Sequence, residues 1–375
     1  MNGKNPTAEP RADLMHSIHD LSAVEGWRRR QRLDVEWLRR LRNRFYKKRG
    51  SAAEALAELP VGARERFGGE VSFHALELES RHDSALDGAT KLVLRTAQGL
   101  LIETVILRLA SGRTAACLST QVGCAANCDF CATGKMGIAR NLTAAEILDQ
   151  LIQVNRLLVA EGRSVRNVVF MGMGEPFHNE GELHAALRVL TDAGCFHLNP
   201  KRLLVSTVGV PAAMVRCAER FPQVRQALSL HSARQEVRER IMPIARRHSL
   251  GELREALANV TAMGGHEVMI EYLMLAGVND APDDVAALVD YLRDIPVHIN
   301  LIPYNPIGEA PHLAGSDEAT RAGFSRALKA AGFQVTTRYS LGADIAAACG
   351  QLVRQEHRRA VVLESDRRRA PVALP

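Results

Sequence analysis

The sequence lacks several features that would point to a membrane or secreted protein. No run of eighteen apolar residues occurs, so no membrane-spanning helix is expected. The N terminus is polar and has no apolar stretch of the signal-peptide kind, which predicts a cytoplasmic protein. Cysteine is scarce as well, and seven is an odd number, which excludes a disulfide-stapled scaffold. The thiols are therefore buried side chains, metal ligands or reactive groups.

The rest of the composition is that of a globular protein. Hydrophobic residues make up 46% of the 375 positions and charged residues 24%, which excludes disordered, collagenous and coiled-coil classes. This length allows two or three domains, or one large α/β barrel with an appendage.

Positive charge is concentrated near the start of the chain. The net charge is +6, but residues 1–50 alone carry thirteen Lys or Arg against six Asp or Glu. Within 28–49 there are eleven basic and two acidic residues. The sequence thus combines a near-neutral body with a basic N-terminal segment, which can bind phosphates.

The chain divides into four predicted parts. Residues 1–24 are polar and are expected to be loosely ordered. Residues 25–95 are predicted to form a small basic helical domain, in which 27–49 has the apolar periodicity of one helix. Residues 96–353 form the main α/β domain, and residues 354–375 form a basic tail.

The main domain alternates between short apolar runs and amphipathic runs. Strands are predicted at 101–107, 115–119, 165–171, 202–206, 224–230, 267–274, 297–302 and 334–338. Helices are predicted at 144–160, 181–193, 211–220, 251–263, 281–294 and 316–331. Such alternation indicates parallel strands with right-handed crossovers. Six or seven units favour a partial or full TIM-like barrel, with an open doubly wound sheet as the rival.

Chemically distinctive residues follow the strand ends. They comprise a cysteine loop after 119, the string at 172–176, Ser206, the string at 229–231 and Asn305. In a barrel these loops meet on one rim, where the active site lies. The alternative is that such residues simply form loops, but five of them in register favour the barrel.

The sharpest motif is the spacing CxxxCxxC formed by Cys124, Cys128 and Cys131. A structural zinc site normally takes four ligands in two pairs, and no second CxxC is present. Three thiolates on a four-iron cluster would leave one iron open to a small molecule. A zinc site with a distant fourth ligand, or three buried cysteines, are the alternatives.

This loop resembles that of the radical S-adenosylmethionine (SAM) superfamily, in which an open iron binds the cofactor and reductive cleavage gives a 5′-deoxyadenosyl radical. The string Gly172-Met-Gly-Glu-Pro176 is similar to the superfamily's glycine-rich element near the methionine amino group. By itself that string would usually be a turn. Its position one strand–helix unit after the cysteines supports the resemblance.

Two more cysteines narrow the resemblance. Cys117 stands seven residues before Cys124, and Cys349 lies in the string 342–352. With the strings at 170–176, 229–231 and 300–306, the sequence from about 100 to 353 closely resembles the radical SAM 23S rRNA adenine methyltransferases. Their main branch methylates C2 of an adenine, and a smaller branch methylates C8 and confers antibiotic resistance. The string 133–143 and Pro176 are closer to the C2 branch.

The resemblance implies a two-stage mechanism. Cys349 takes a methyl group from one SAM, and a radical derived from a second SAM activates that methyl for addition to the base. Glu103 matches the family's proton acceptor, and Cys117 resolves the adduct through a transient disulfide with Cys349. Without the family, Glu103 would be interpreted as the solvent face of an edge strand, and a structural Cys117–Cys349 disulfide is the alternative pairing.

The resemblance also implies the ligands and partners. Cys124, Cys128 and Cys131 would hold one 4Fe-4S cluster, and two SAM molecules would be used per turnover. Cofactor contacts are expected from Gly174, Glu175, Ser206, Ser229, Leu230, His231 and Asn305. The partners implied are 23S rRNA, transfer RNA as a further candidate, and an electron donor such as flavodoxin; a monomer is expected.

Other interpretations remain open at this point. His231 could be a satisfied core histidine, and Cys195 and Cys217 match nothing functional. Trp27 and Trp37 could stack on bases or pack inward. The rival functions are a radical enzyme acting on a protein or small molecule, and a non-catalytic iron–sulfur or zinc RNA-binding regulator.

Overall fold

The computed structural model describes residues 15–352. The basic tail predicted at 354–375 and the first fourteen residues lie outside this range. None of the described helices is long and apolar enough to cross a membrane.

The N-terminal part is a compact set of short helices. A two-residue parallel pair, β1 (His16–Ser17) and β2 (Val71–Ser72), brings its two ends together. Order therefore begins before residue 24, earlier than the sequence predicted. Between these strands lie α1 (Leu21–Arg30), α2 (Val35–Arg42), a π-helical turn (Asn43–Lys47), α3 (Ala52–Leu56) and α4 (Val61–Glu70).

The single helix predicted over 27–49 is wrong, because the chain breaks after α1. Arg32 adopts a left-handed conformation with φ of 53°, which ends the first helix. Asp34 then caps α2 by accepting a hydrogen bond from the Glu36 amide at 2.7 Å. The apolar periodicity continues across the break, because the apolar side chains of both helices pack into one hydrophobic core.

The core of this domain is aromatic. Trp27 is 1% exposed and meets Phe67 edge to face, with ring centroids 4.8 Å apart. Trp37 is only partly buried, and the Arg40 guanidinium lies over its ring at 5.3 Å. Trp27 therefore packs inward, and Trp37 is the more accessible ring.

The predicted boundary near residue 95 divides a continuous sheet. Three antiparallel strands, β3 (Leu76–Asp83), β4 (Ala89–Thr96) and β5 (Leu101–Arg108), lead directly into the parallel strands through the pairing of β5 with β6 (Thr114–Cys117). The helical part thus ends at Glu70, and residues 76–96 extend the sheet of the main domain.

Seven parallel strands follow in sequential order. The first is β6, and the other six are β9 (Asn167–Phe170), β10 (Leu203–Thr207), β11 (Arg225–Ser229), β12 (Val268–Met274), β13 (Val297–Pro303) and β14 (Gln334–Thr337). A doubly wound sheet would reverse its strand order at a switch point, and this one does not. The partial barrel is the architecture that was predicted.

Helices connect the strands, and six of them lie close to the predicted positions; the one at Gln235–Ile241 was not predicted. They are α6 (Ala144–Val159), α7 (Glu180–Thr191), α8 (Pro211–Arg220), α9 (Gln235–Ile241), α10 (Leu250–Gly264), α11 (Pro282–Leu292) and α12 (Glu318–Ala330). With right-handed crossovers and no reversal of strand order, these helices share one face of the sheet. The opposite face and the carboxyl ends of the strands are left for the site.

A small hairpin carries the cysteine motif. Strands β7 (Gln121–Cys124) and β8 (Gly137–Asn141) pair antiparallel, and α5 (Ala132–Lys135) lies between them. Gly123 is required here, since its φ is +82° and a Cβ would lie 2.0 Å from the Gly137 carbonyl oxygen. The hairpin places the cysteine loop at the carboxyl end of the first parallel strand.

Candidate functional site

A cavity opens at the carboxyl ends of the parallel strands. Its lining comes from every strand of the barrel between β9 and β13, from the cysteine loop and from the C-terminal segment around Cys349. Nine residues predicted from the sequence line it together: Cys124, Cys128, Cys131, Gly174, Glu175, Ser206, Ser229, His231 and Cys349. The fold thus brings most of the predicted site residues to one place.

The cysteine loop is held by polar contacts on its outer side. Asp129 receives hydrogen bonds from Lys135 Nζ and from His312 Nε2, the latter at 2.7 Å. The Asp129 amide donates to the Ile241 carbonyl at 2.8 Å. The Asp129 carboxylate thus ties the loop to α5 and to His312, and its amide ties the loop to the end of α9.

The three thiols form a donor set that fits an iron–sulfur cluster. Burial raises the pKa of Cys124 to about 12 and also raises the pKa values of Cys128 and Cys131. A thiolate is therefore stable here only beside a strongly cationic group such as a metal centre. Within residues 15–352, no three His, Cys, Asp or Glu side chains converge closely enough for a single ion. Three thiols at one cavity match the donor set of a four-iron cluster, in which each thiolate binds a different iron.

The glycine-rich segment after β9 lies directly against the cavity. Gly174 has φ of +100°, and a Cβ would lie 2.5 Å from the Gln121 side chain, so only glycine fits. The Glu175 carboxylate accepts hydrogen bonds from the amides of Phe177 and Val208 and from the Thr207 hydroxyl, at 2.8 to 2.9 Å. Burial nevertheless raises its pKa to about 7. A ligand ammonium group beside it would restore the ionised form.

Two predicted serines share one carboxylate that the sequence analysis missed. Ser206 and Ser229 donate to Glu271 Oε2 at 3.0 and 3.1 Å. Glu271 lies on β12, is 6% exposed and lines the same cavity. Its signal was present in the sequence, as a single carboxylate inside the apolar run 268–274.

His231 lies at the cavity with a left-handed backbone. Its φ is 56°, which is uncommon outside glycine. Its Nδ1 accepts a hydrogen bond from the Leu273 amide at 3.0 Å, and burial lowers its pKa to about 3. The ring is therefore neutral, and Nε2 carries the hydrogen. Because the ring lines the cavity, it offers a donor there in addition to its packing against Phe130.

The other two predicted cofactor residues lie beside the cavity. Leu230 is completely buried, and its amide donates to the Glu271 carbonyl at 3.1 Å. Asn305 follows β13 and donates through Nδ2 to the Cys349 carbonyl at 3.1 Å and to Ser340 Oγ at 3.0 Å. The neighbouring Tyr304, rather than Asn305, contributes to the cavity lining.

Cys117 and Cys349 line a second, adjoining cavity. Its walls come from β5, β6 and the segments after β9 and β14, and Cys349 belongs to the lining of both cavities. Cys349 is exposed and Cys117 is buried, and both are free thiols. Burial, with a further contribution from Cys349, raises the pKa of Cys117 to about 12. The two cavities share Met171 and Cys349 in their linings.

Glu103 is buried in a central strand, not on the solvent face of an edge strand. It is 2% exposed on β5, which pairs with β4 on one side and β6 on the other. Its Oε1 lies 3.4 Å from Lys91 Nζ, and the same ammonium donates to the Ala346 carbonyl at 3.1 Å. Lys91, which the sequence analysis missed, thus links Glu103 to the segment that carries Cys349.

The remaining cysteines are structural. Cys195 and Cys217 are 0% exposed, belong to the hydrophobic core and line neither cavity. Burial raises the pKa of each thiol to about 12. They behave as small apolar side chains, as predicted.

Comparisons with known proteins agree with this geometry. A family model described as the radical SAM superfamily matches residues 118–292. A probable RNA methyltransferase of Rhodopirellula baltica is 49% identical over 353 residues, covering 94% of this chain and 91% of that protein. A probable dual-specificity RNA methyltransferase RlmN of Thermus thermophilus is 39% identical, covering 88% and 89%. A crystal structure of a radical SAM methyltransferase from Sphaerobacter thermophilus superimposes with a TM-score of 0.85 and 34% identity, covering 90% and 98%.

Proposed function

This chain belongs to the family of radical SAM RNA methyltransferases, and on that premise we propose that it methylates C2 of an adenine in 23S rRNA. Relatives named dual-specificity RNA methyltransferase RlmN support a second specificity, for which we propose transfer RNA. C8 methylation is the second candidate. The observation that carries the proposal is the meeting of two cavities at Cys349, one lined by the cysteine triplet and one by Cys117.

The first cavity would hold the cofactors. Cys124, Cys128 and Cys131 would ligate one 4Fe-4S cluster, and Glu175, Ser206, Ser229 and His231 would bind SAM, with Asn305 and Leu230 supporting the wall. When bound, this pair supplies a one-electron cleavage that generates a carbon radical. We propose that two SAM molecules use this one cavity in each turnover.

Cys349 would carry the methyl group that goes to the RNA. It is the exposed thiol and lies where both cavities meet, so it can face the cofactor and the base in turn. Cys117 would then attack the Cys349 sulfur as a thiolate and form a disulfide. The bond from that sulfur to the transferred carbon breaks, its electron pair stays with the carbon and base, and the carbon takes up a proton to become the methyl group. A reductant restores both thiols.

Glu103 would accept the proton that the base loses. It is buried, and its Oε1 lies 3.4 Å from Lys91 Nζ, so an ammonium group stands beside the carboxylate that would take up the proton. The Lys91 contact to the Ala346 carbonyl ties the acceptor to the segment containing Cys349.

The RNA and the electron donor would meet other parts of the chain. We propose that the basic N-terminal domain contacts RNA phosphates and that an electron donor such as flavodoxin reduces the cluster. We also propose that the protein is a monomer in the cytoplasm.

One experiment tests the proposal directly. The protein is reconstituted anaerobically with iron and sulfide, then incubated with a strong reductant, SAM and unmethylated ribosomal RNA. Mass spectrometry of the digested RNA should show 2-methyladenosine, together with 5′-deoxyadenosine in solution. Finding 8-methyladenosine would select the C8 candidate. Finding no modified adenosine, with the cluster present, would favour an RNA-binding protein without this activity.

Two cysteine variants test the relay. Cys349→Ala should abolish RNA methylation, by at least about a thousandfold, since it removes the proposed methyl carrier. Cys117→Ala should accumulate an RNA–protein adduct through Cys349, visible as a shifted band on a denaturing gel. Cys217→Ala, another buried cysteine, is the matched control and should do neither. A Cys349→Ala protein that methylates RNA would eliminate the relay.

A further inference from the structure

Arg238 is a buried cation without a carboxylate partner. It lies on α9 and is 0% exposed. Arginine is almost never fully buried unless it is paired, because removing its charge from water is costly. Among residues 15–352, however, no Asp or Glu forms an ion pair with it.

Its hydrogen bonds are also incomplete. Nη2 donates to the Val208 carbonyl oxygen, while Nε and Nη1 are buried and have no acceptor in the described part of the chain. Unused donors on a buried charge add a further desolvation penalty. The side chain is therefore arranged for an acceptor that the polypeptide itself does not supply.

The titratable groups near Arg238 show on which side of the side chain the missing acceptor would lie. Cys128, His231 and Tyr291 are the titratable groups that interact with it. Tyr291 donates its hydroxyl hydrogen to the Leu250 carbonyl at 2.9 Å and stays neutral, since burial raises its pKa. His231 is neutral as well. Of these three, Cys128 is the predicted cluster ligand.

Packing places α9 against the cysteine loop. Ile241 and Met242, at the end of α9, share an apolar cluster with Cys124 and Cys128. The Asp129 amide also donates to the Ile241 carbonyl at 2.8 Å. Arg238 therefore lies on a helix that closes one side of the loop.

We propose that Arg238 is the counter-cation of the iron–sulfur cluster and that its charge raises the cluster's reduction potential. The inference depends on the proposed function, since it requires the cluster. A four-iron cluster on three thiolates is an anion, and its sulfides and thiolates accept N–H hydrogen bonds. Net charge, hydrogen bonds to sulfur and solvent exposure set the potential of such clusters. Arg238 would act through the net charge, which makes it a positioning and tuning residue, not a catalytic one.

Three substitutions separate its charge from its structural contact to Val208. Arg238→Lys keeps a cation and a donor, Arg238→Gln keeps a donor without charge, and Arg238→Met keeps neither. Arg240→Gln removes an exposed cation from the same helix and is the matched control. If Arg238→Met fails to fold, the Lys and Gln variants still carry the comparison.

The readout is an anaerobic redox titration of the reconstituted, full-length proteins, followed by absorbance and electron paramagnetic resonance. At a fixed applied potential, Arg238→Gln and Arg238→Met should increase the ratio of oxidised to reduced cluster at least tenfold, which is about 59 mV for a one-electron couple. Arg238→Lys should stay within about threefold of the wild type, and Arg240→Gln should match it. A wild-type potential in Arg238→Gln would show that the residue only supports Val208, and would overturn the proposal.

Thermal unfolding supplies an independent test, because the difference in unfolding temperature between Arg238→Met and the wild type should change sign when the cluster binds. Without the cluster, Arg238 is an uncompensated buried charge, so Arg238→Met should unfold at the same or a higher temperature than the wild type. With the cluster bound, the order should reverse. A variant less stable by the same amount in both forms would contradict the counter-cation role. If the wild type takes up no cluster at all, the proposed function fails; if cluster uptake is normal and the potentials are equal, only this inference fails.

Discussion

Glu25 and Glu36 of the N-terminal domain lie near the surface, and each pairs with two arginines of its own helix. In the barrel, by contrast, Glu175 and Glu271 are buried at the rim of the site, and Arg238 is buried behind it. Surface ion pairs of the first kind contribute little to stability. Buried charges of the second kind cost free energy unless something compensates them. The comparison suggests that charge serves solubility and phosphate contacts in one region and ligand chemistry in the other.

The largest expected effect lies on the barrel side of this comparison. Glu103→Gln keeps the size of the side chain but removes the proposed proton acceptor, so RNA methylation should fall by about 10²–10⁴-fold. Cluster content and SAM cleavage should stay unchanged. Single-turnover assays measure RNA methylation, iron analysis measures cluster content, and release of 5′-deoxyadenosine measures SAM cleavage.

The matched control is Glu79→Gln on β3, a carboxylate of the same sheet that is exposed and paired with Arg95. It should leave methylation within about twofold of the wild type. Methylation by Glu103→Gln at more than a tenth of the wild-type rate would remove Glu103 from the mechanism.

A core substitution tests the other region. Trp27→Ala should reduce the free energy of unfolding by about 3–5 kcal/mol, because it empties the aromatic core around Phe67. Trp37→Ala, at a partly exposed ring, should cost less than about 1 kcal/mol. Denaturant titrations followed by circular dichroism give both values. Equal losses in the two variants would mean that the domain is not held together as the structure shows.

The stability of the protein at low pH tests the N-terminal region further, since the described part of that region contains the buried histidine His19. Burial lowers the pKa of His19 from 6.5 to about 4, so the folded protein keeps it neutral. The unfolded chain therefore binds more protons below pH 6.5, and stability contributed by the neutral form is lost as the pH falls toward 4. The loss should reach about 3 kcal/mol, from roughly 1.4 kcal/mol per unit.

The measurement is the free energy of unfolding at several pH values from 4 to 7.5. His19→Gln should flatten the profile over that range, whereas His16→Gln, at an exposed position, should not. A His19→Gln profile as steep as that of the wild type would assign the acid sensitivity to other groups.

The smallest expected effect concerns the surface arginines. Arg28 and Arg29 pair with Glu25, and Arg30 lies 3.9 Å from Glu70. Replacing all three by Gln should weaken RNA binding and flatten the slope of log K against log salt concentration. Because these arginines are already paired with carboxylates, the slope should change by about one unit, less than for three unpaired cations. Glu25→Gln should act in the opposite direction. Filter binding at several salt concentrations decides, and an unchanged slope in the triple variant would place the RNA elsewhere.

Much of the barrel could be predicted because most of its strands are buried on both faces. The predicted strand at 297–302 and helix at 211–220 agree with β13 and α8 to within a residue. The strand β3 was missed because it lies at the edge of the sheet, where its side chains are mostly exposed and charged. The break after Arg32 was missed although Asp34, a good helix cap, stood at the right place.

The site could be predicted where sequence motifs are local. The cysteine triplet, Glu175 and His231 all lie in short strings, and the fold brings them into one cavity. Glu271 and Lys91 belong to no such string, because their roles depend on which strands pair. The burial of Glu103 has the same origin: it needs β4 as a neighbour, and β4 was not predicted.

The backbone around Cys349 is fastened at three points. Asn305 donates to the Cys349 carbonyl, the Ala132 amide donates to the Gly350 carbonyl at 2.7 Å, and the Thr133 hydroxyl donates to the Leu352 carbonyl at 2.7 Å. A thiol on so firmly held a main chain can change its surroundings chiefly by turning about its own Cα–Cβ bond. In the proposed mechanism, methylation of the Cys349 sulfur and transfer of the methyl group to RNA would then differ by a side-chain rotation, without movement of the main chain. An insertion that loosened this stretch should uncouple these two stages before it impaired either one.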